Sequence, residues 1–289
     1  MKNIFLIITI FSIFLITACS KDFLEVKPQQ SVLAQDVFKS VTTSRAAVNG
    51  LYSLLQSYSY YGRDAMIIPE ILSDNATRSV RTGNRYTGIN TMTHTATDAN
   101  ISRMWSQMYQ VVTNANNIIA NEANIKSVAT PLEQAEVDQL VGEAYSMRAL
   151  AYFDLVKFFA RPLKFTSDGS HLGVPLVIKP IANITEVVYP ARNTAAEVYT
   201  QIDNDITEAL KRLPLNGNVI SGGTVNNSLF KIRLNRFATL AIKARVAIYK
   251  EDWTNAADAA NQVITAARYN IFSFGSMVQD FRTPGNGES

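Results

Sequence analysis

The sequence predicts an all-α protein, a set of tetratricopeptide-like helical hairpins with long irregular loop insertions. Two observations carry that prediction. Apolar residues recur at helical spacing in six separate segments, whereas the alternating pattern of a half-buried strand is weak throughout. Between these segments lie irregular stretches rich in Tyr, Asn, Gly and Pro, the longest at 59–97 and 160–192.

The N-terminus precedes the fold and reads differently. Lys2 supplies a positive charge, and residues 4–16 are apolar apart from Thr9 and Ser12. That run is shorter than the roughly 20 residues an untilted membrane-spanning helix needs, and it fits the apolar region of an export signal. It ends in Ile16-Thr17-Ala18-Cys19, an order that resembles the lipobox of bacterial lipoproteins. The expectation is a removable signal over 1–18, lipidation of Cys19, and a tether over 19–35. Cys19 is the only cysteine, so it has no intramolecular disulfide partner. Removal of 18 of 289 residues leaves 271, enough for one large domain or two ordinary ones.

The first helix is expected from about Thr43 to Tyr58, with Ala47, Leu51, Leu54 and Tyr58 on one stripe. A second covers Asp98 to Ala123, with Trp105 on its apolar side and read as core. A third opens near Pro131, where a helix tolerates proline, and runs to Phe159. Its two adjoining apolar stripes imply neighbours on more than one side. Arg148 within it needs a buried carboxylate, with Glu143 one candidate. Thr194-Ala-Ala-Glu197 reads as a capping box opening a helix that stops at Pro214. The last pair covers 233–250 and 253–267, with Asp252 as N-cap and Trp253 structural. Ala244, Ala256 and Ala260 have the small-residue spacing of a tetratricopeptide-type hairpin.

Several stretches taken together resemble the SusD/RagB family. Gly142-Glu-Ala-Tyr-Ser-Met-Arg-Ala-Leu-Ala-Tyr-Phe-Asp-Leu-Val-Lys-Phe-Phe-Ala-Arg-Pro-Leu163 is similar to that family's long central helix. Gly173-Val-Pro-Leu176 resembles the extended piece after it, and Tyr199, Ile202, Asp205, Ala209, Leu213 and Pro214 resemble the next helix. Residues 236–269, with Ala244, Arg245, Tyr249, Trp253 and Ala256, look like its helical-repeat pair. Cys19-Ser-Lys-Asp-Phe-Leu-Glu-Val-Lys-Pro28 is similar to its mature start. The resemblance implies a surface-exposed outer-membrane lipoprotein that binds glycans or other nutrients and delivers them to a SusC-like TonB-dependent transporter. It also implies that 36–289 is the N-terminal part of a longer domain, ending within a family motif at 286–289.

Glycan recognition needs aromatic faces for sugar C–H surfaces and Asn, Asp or Arg groups for hydroxyls. The 59–97 segment offers Tyr60, Tyr61, Arg78, Arg81, Asn84, Arg85 and Tyr86 as candidates, against the alternative that its tyrosines fold back onto the helices. Catalysis finds no support in the sequence: it carries no Gly-x-Ser-x-Gly elbow, His-Glu-x-x-His pair or Walker loop. His94 and His171 lie far apart, so neither a metal site nor a cofactor is expected, and a formal charge of +3 is too mild to argue for nucleic acid. The competing reading is a helical-repeat envelope lipoprotein acting as a protein or peptide scaffold.

Overall fold

The computed structural model describes residues 36–79, 81, 83–180, 189–269 and 275. The expected signal 1–18, Cys19, the tether to Gln35 and the 286–289 motif lie outside the described residues. The chain divides into two units, Met1–Val37 and Phe38–Ser289, and every element below belongs to the second.

Helix α1 spans Val41–Leu55 and buries Val41, Ser44, Val48, Leu51 and Leu55, one face at helical spacing. Ser40 caps it, its Oγ accepting the Thr43 N–H at 3.1 Å. The helix therefore begins and ends a little earlier than expected, and Tyr58 lies outside it, exposed.

The 59–97 segment is less irregular than its sequence suggests, because it holds α2 (Asp64–Leu72) and the single turn α3 (Thr87–Asn90). Pro69 sits inside α2, where proline removes an intrahelical hydrogen bond and hides the helical signal. The expected 98–123 helix is two: α4 (Ala99–Ala120) and α5 (Glu122–Val128), parted at Asn121. Asp98 caps α4, its Oδ1 accepting from the Asn100 N–H at 2.9 Å.

Helix α6 (Gln134–Phe159) is the centre of the molecule. Pro131 lies in the turn before it rather than in its first turn. From Gln139 to Val156 every residue except Tyr145 is buried. Helices α1, α4 and α7 (Ala195–Arg212) pack around it. Gly142 lets the end of α7 come close: a Cβ there would lie 3.0 Å from Leu213 Cγ and 3.2 Å from Arg212 Cβ.

The capping box of α7 forms as its sequence predicts. Beyond it, β1 (Ile220–Ser221) and β2 (Thr224–Val225) pair antiparallel, Ile220 opposite Val225 and Ser221 opposite Thr224. Gly222 and Gly223 form the two-residue turn, both at positive φ (64° and 74°), as such tight hairpins require.

Helices α8 (Arg236–Tyr249) and α9 (Trp253–Thr265) make the closing hairpin, and Asp252 caps α9 as expected. The buried face of α8 differs from the stripe of Leu234, Phe237, Ala241, Ala244 and Ile248 that the helical spacing of 233–250 suggests. Phe237, Leu240, Ile242, Val246 and Ala247 point inward, whereas Ala241 and Ile248 are exposed. On α9 it is Ala256 and Ala259 that are buried, and Trp253 is 65% exposed rather than packed.

Candidate binding site

A helix buried on all sides must answer for every charge it carries. Four of the charged residues of α6 are buried. Glu136 meets Arg45, and its Oε2 also accepts the Gly223 N–H at 3.1 Å. Glu143 meets Arg233 at 2.7 Å and accepts from the Tyr52 hydroxyl at 2.8 Å. Burial pushes the Glu143 carboxyl up, with Arg233 pulling against it. Arg148 pairs not with Glu143 but with Asp205 on α7, through Nε at 2.8 Å and Nη2 at 2.5 Å. Its Nη1 donates to Asn116, whose amide reaches the Val177 carbonyl at 2.7 Å. Among the described residues no buried side-chain nitrogen or oxygen lacks a hydrogen-bond partner.

Asp154, the fourth charge, organises the start of the 59–97 segment. Its Oδ2 accepts from the hydroxyls of Tyr60 at 2.7 Å and Tyr61 at 2.6 Å, while Oδ1 meets Lys157 at 2.8 Å. Tyr60 is wholly buried and Tyr61 half-buried; burial first, then the Asp154 charge, pushes both phenols up. Tyr86 is anchored in the same way. Its hydroxyl donates to Asp64 at 2.6 Å, and burial together with that bond pushes it up to about 12. Arg63 donates through Nε to the same Asp64 oxygen, Oδ1, at 2.7 Å and lies over the Tyr86 ring. Thus Tyr60 and Tyr86 turn inward and fasten the segment to the helices.

The polar candidates are placed differently. Arg81, Asn84 and Arg85 are exposed, and Arg78 is half-buried with its guanidinium donating to the Gly83 carbonyl. The structure adds a feature that the sequence reading missed, a cleft of about 900 Å³ over α2. Met66, Ile67, Pro69 and Ser73 form one wall, and Lys157, Phe158 and Tyr249 face them from α6 and α8. Tyr249 stands edge-on to Phe153, ring centroids 5.1 Å apart. Residues 65–76 contribute to the cleft, but Arg78, Arg81, Asn84 and Arg85 are not among its lining residues. Its signal in the sequence was the apolar run 65–68, which Pro69 obscured.

The cleft is mostly apolar, with the rings of Phe158 and Tyr249 and a few polar groups, among them Glu70, Ser73 and Lys157, on its walls. A metal has no obvious seat, since the described residues contain no cluster of three or more His, Cys, Asp or Glu. His171 is tied to its own loop, with Nδ1 2.9 Å from Thr166 Oγ1.

Comparison with known proteins decides the family. Residues 22–248 match the model of a SusD-like family described as starch-binding and associating with the outer membrane. The chain belongs to the SusD-like family. A SusD-like protein from Formosa agariphila is 25% identical over 264 residues, covering 90% of this chain and 46% of its own length. A SusD superfamily structure from Bacteroides thetaiotaomicron superposes with a TM-score of 0.68 at 26% identity, covering 82% of this chain and 49% of that one. A laminarin-binding SusD-like protein shares the fold, with a TM-score of 0.55 at 22% identity over 77% of this chain and 43% of its own. This SusD-like chain thus spans about half the length of the relatives it matches. Its helix-dominated body is the fold of the SusD superfamily structure on which it superposes.

Proposed function

We propose that this SusD-like chain is a lipid-anchored protein of the outer membrane that captures glycans or other nutrients without catalysis. It hands them to a SusC-like TonB-dependent transporter. The observation that carries the reading is the family match over 22–248, which starts three residues past Cys19 and runs through nearly all of α8. Cys19 would hold the acyl chains and 20–35 the tether, so that 36–289 stands off the membrane. Among the described residues no helix is long and apolar enough to cross a bilayer, which fits attachment by lipid.

Ligand contact falls to the groups that reach the surface. Arg81, Asn84 and Arg85 are exposed, with Arg78 beside them and Tyr61 half-buried. Tyr60 and Tyr86 serve by fixing the backbone that presents these groups.

The test begins with detergent extraction from native outer membranes. A large β-barrel should co-purify, the mature N-terminus should carry acyl mass on Cys19, and migration should be retarded in gels containing glycan. The triple substitution Arg81→Ala, Asn84→Ala, Arg85→Ala should reduce that retardation while leaving the helical circular dichroism intact. Purification free of any barrel, with an unmodified Cys19, would overturn the assignment.

A further inference from the structure

Helix α2 leaves two large apolar side chains in water. Met66 is 63% exposed and Ile67 37%, although the same helix seats Ile68 and Ile71 in the core. Both stand on the wall of the cleft of about 900 Å³, with Pro69 and Leu72 beside them and Phe158 and Tyr249 facing them. That volume lies within the roughly 300–1,000 Å³ usual for small-ligand sites.

One cation is recessed in this apolar setting. Lys157 lines the cleft and is only 20% exposed. Its Nζ lies 4.6 Å from the Phe158 ring centroid and 5.4 Å from that of Phe153. It donates to Asp154 Oδ1 at 2.8 Å, leaving the rest of the ammonium's donors without a partner among the described hydrogen bonds. Asp154 Oδ2 already accepts from the Tyr60 and Tyr61 hydroxyls, so it is taken. Arg245, 5.8 Å from the Phe153 centroid, adds a second positive charge against that single carboxylate. Glu70 is the one acidic lining residue; it is exposed, and Lys157 pairs with Asp154 rather than with it.

We propose that the cleft over α2 binds a small monocarboxylate with an apolar body. The carboxylate would meet Lys157, and the body would lie between Met66, Ile67, Phe158 and Tyr249. An ammonium only donates, so the group that meets it must accept, and an anion makes the stronger, charge-assisted bond. Because Lys157 is recessed, it is reached by a group that enters the cleft, whereas a flat protein surface would meet charges at the rim. The exposed Met66 and Ile67 then gain a partner for their apolar surface. This inference goes beyond glycan capture and uses none of its groups, since Arg78, Arg81, Asn84 and Arg85 do not line the cleft.

Calorimetry on the full chain tests it. Decanoate, well below its micelle concentration, and naphthoate are titrated beside their uncharged counterparts, decanol and naphthalenemethanol. At least one carboxylate should bind saturably, and its alcohol roughly tenfold more weakly, the effect of losing a hydrogen bond to a charged group. The pair that binds tells a chain-shaped body from a ring-shaped one. Lys157→Gln should remove the preference for the anion. That change also takes a partner from buried Asp154, so Met66→Asp supplies an independent arm at an exposed position. It should weaken carboxylate binding roughly tenfold, by setting a like charge in place of apolar wall, with helical circular dichroism unchanged. No binding of either carboxylate, equal affinity for acid and alcohol, or a carboxylate affinity unmoved by Met66→Asp would each overturn the assignment.

Discussion

Arg148 shows how a single residue announces its need without naming its partner. An arginine in a helix buried along most of its length must meet a carboxylate, and that much follows from the sequence. Glu143 lies on the same helix but five residues away, about 140° around the axis, too far to face it. The partner is Asp205, 57 positions along the chain, held bidentately. The tyrosines of the 59–97 segment give the same lesson. Their abundance was visible, but whether their hydroxyls turn inward depends on Asp154 and Asp64, which the linear pattern does not bring near them. Removing one partner of a buried pair strands the other charge. Asp205→Ala is expected to cost about 3–5 kcal/mol in urea unfolding, whereas the Arg148→Met, Asp205→Leu double variant should recover much of that loss. Equal losses in the single and double variants would count against the stranded-charge account.

At the scale of elements, the sequence spoke most clearly where a cap or a long stripe was present. The α7 box was legible to the residue, because Thr194 and Glu197 satisfy each other's backbone N–H groups: Glu197 N–H to Thr194 Oγ1 at 3.2 Å, and Thr194 N–H to Glu197 Oε2 at 2.8 Å. Helix α2 was not legible, since its nine residues are interrupted by Pro69, and α3 is a single turn without a periodicity to read. Thr194→Ala should therefore destabilise the protein by about 1 kcal/mol, as loss of a side-chain cap does. The carboxylate half of the box adds a pH signature. Hydrogen bonds from Thr194, first through its backbone and then its side chain, hold the Glu197 carboxyl below its usual range. A lowered folded-state value means stability that is present above the ordinary glutamate pKa of 4.5 and lost as pH falls through the folded value. Glu197→Gln should thus be less stable than the parent at pH 7, with the gap closing in acid. A gap of constant size down to pH 3 would show that the carboxylate charge plays no part.

For the whole molecule, the distribution of buried apolar surface sets the order in which parts let go. One cluster runs through α1, α2, α4, α6 and α7 and takes in Ile242 and Val246 of α8, with α6 contributing residues along nearly its entire length. A second, much smaller cluster joins Phe230, Phe237, Leu240 and Ala259, and it is what holds α9 in place. Helix α9 buries only Ala256 and Ala259 and leaves Trp253 and Ile264 in water, so little apolar surface is fully buried where it docks on α8. Partial openings follow the least-buried units. Native-state hydrogen exchange should therefore find the α9 amides opening at a free energy well below that of α6, and without urea dependence typical of global unfolding. Phe237→Ala is the decisive perturbation, because Phe237 belongs to the small cluster alone. It should lower protection across α9 by most of the roughly 3–5 kcal/mol such a truncation costs, and lower that of α6 by much less, with α8, which Ile242 and Val246 join to the large cluster, between the two. Equal loss of protection in α6 and α9 would mean that the hairpin and the central helix unfold as one unit, and the two clusters would then have no separate energetic meaning.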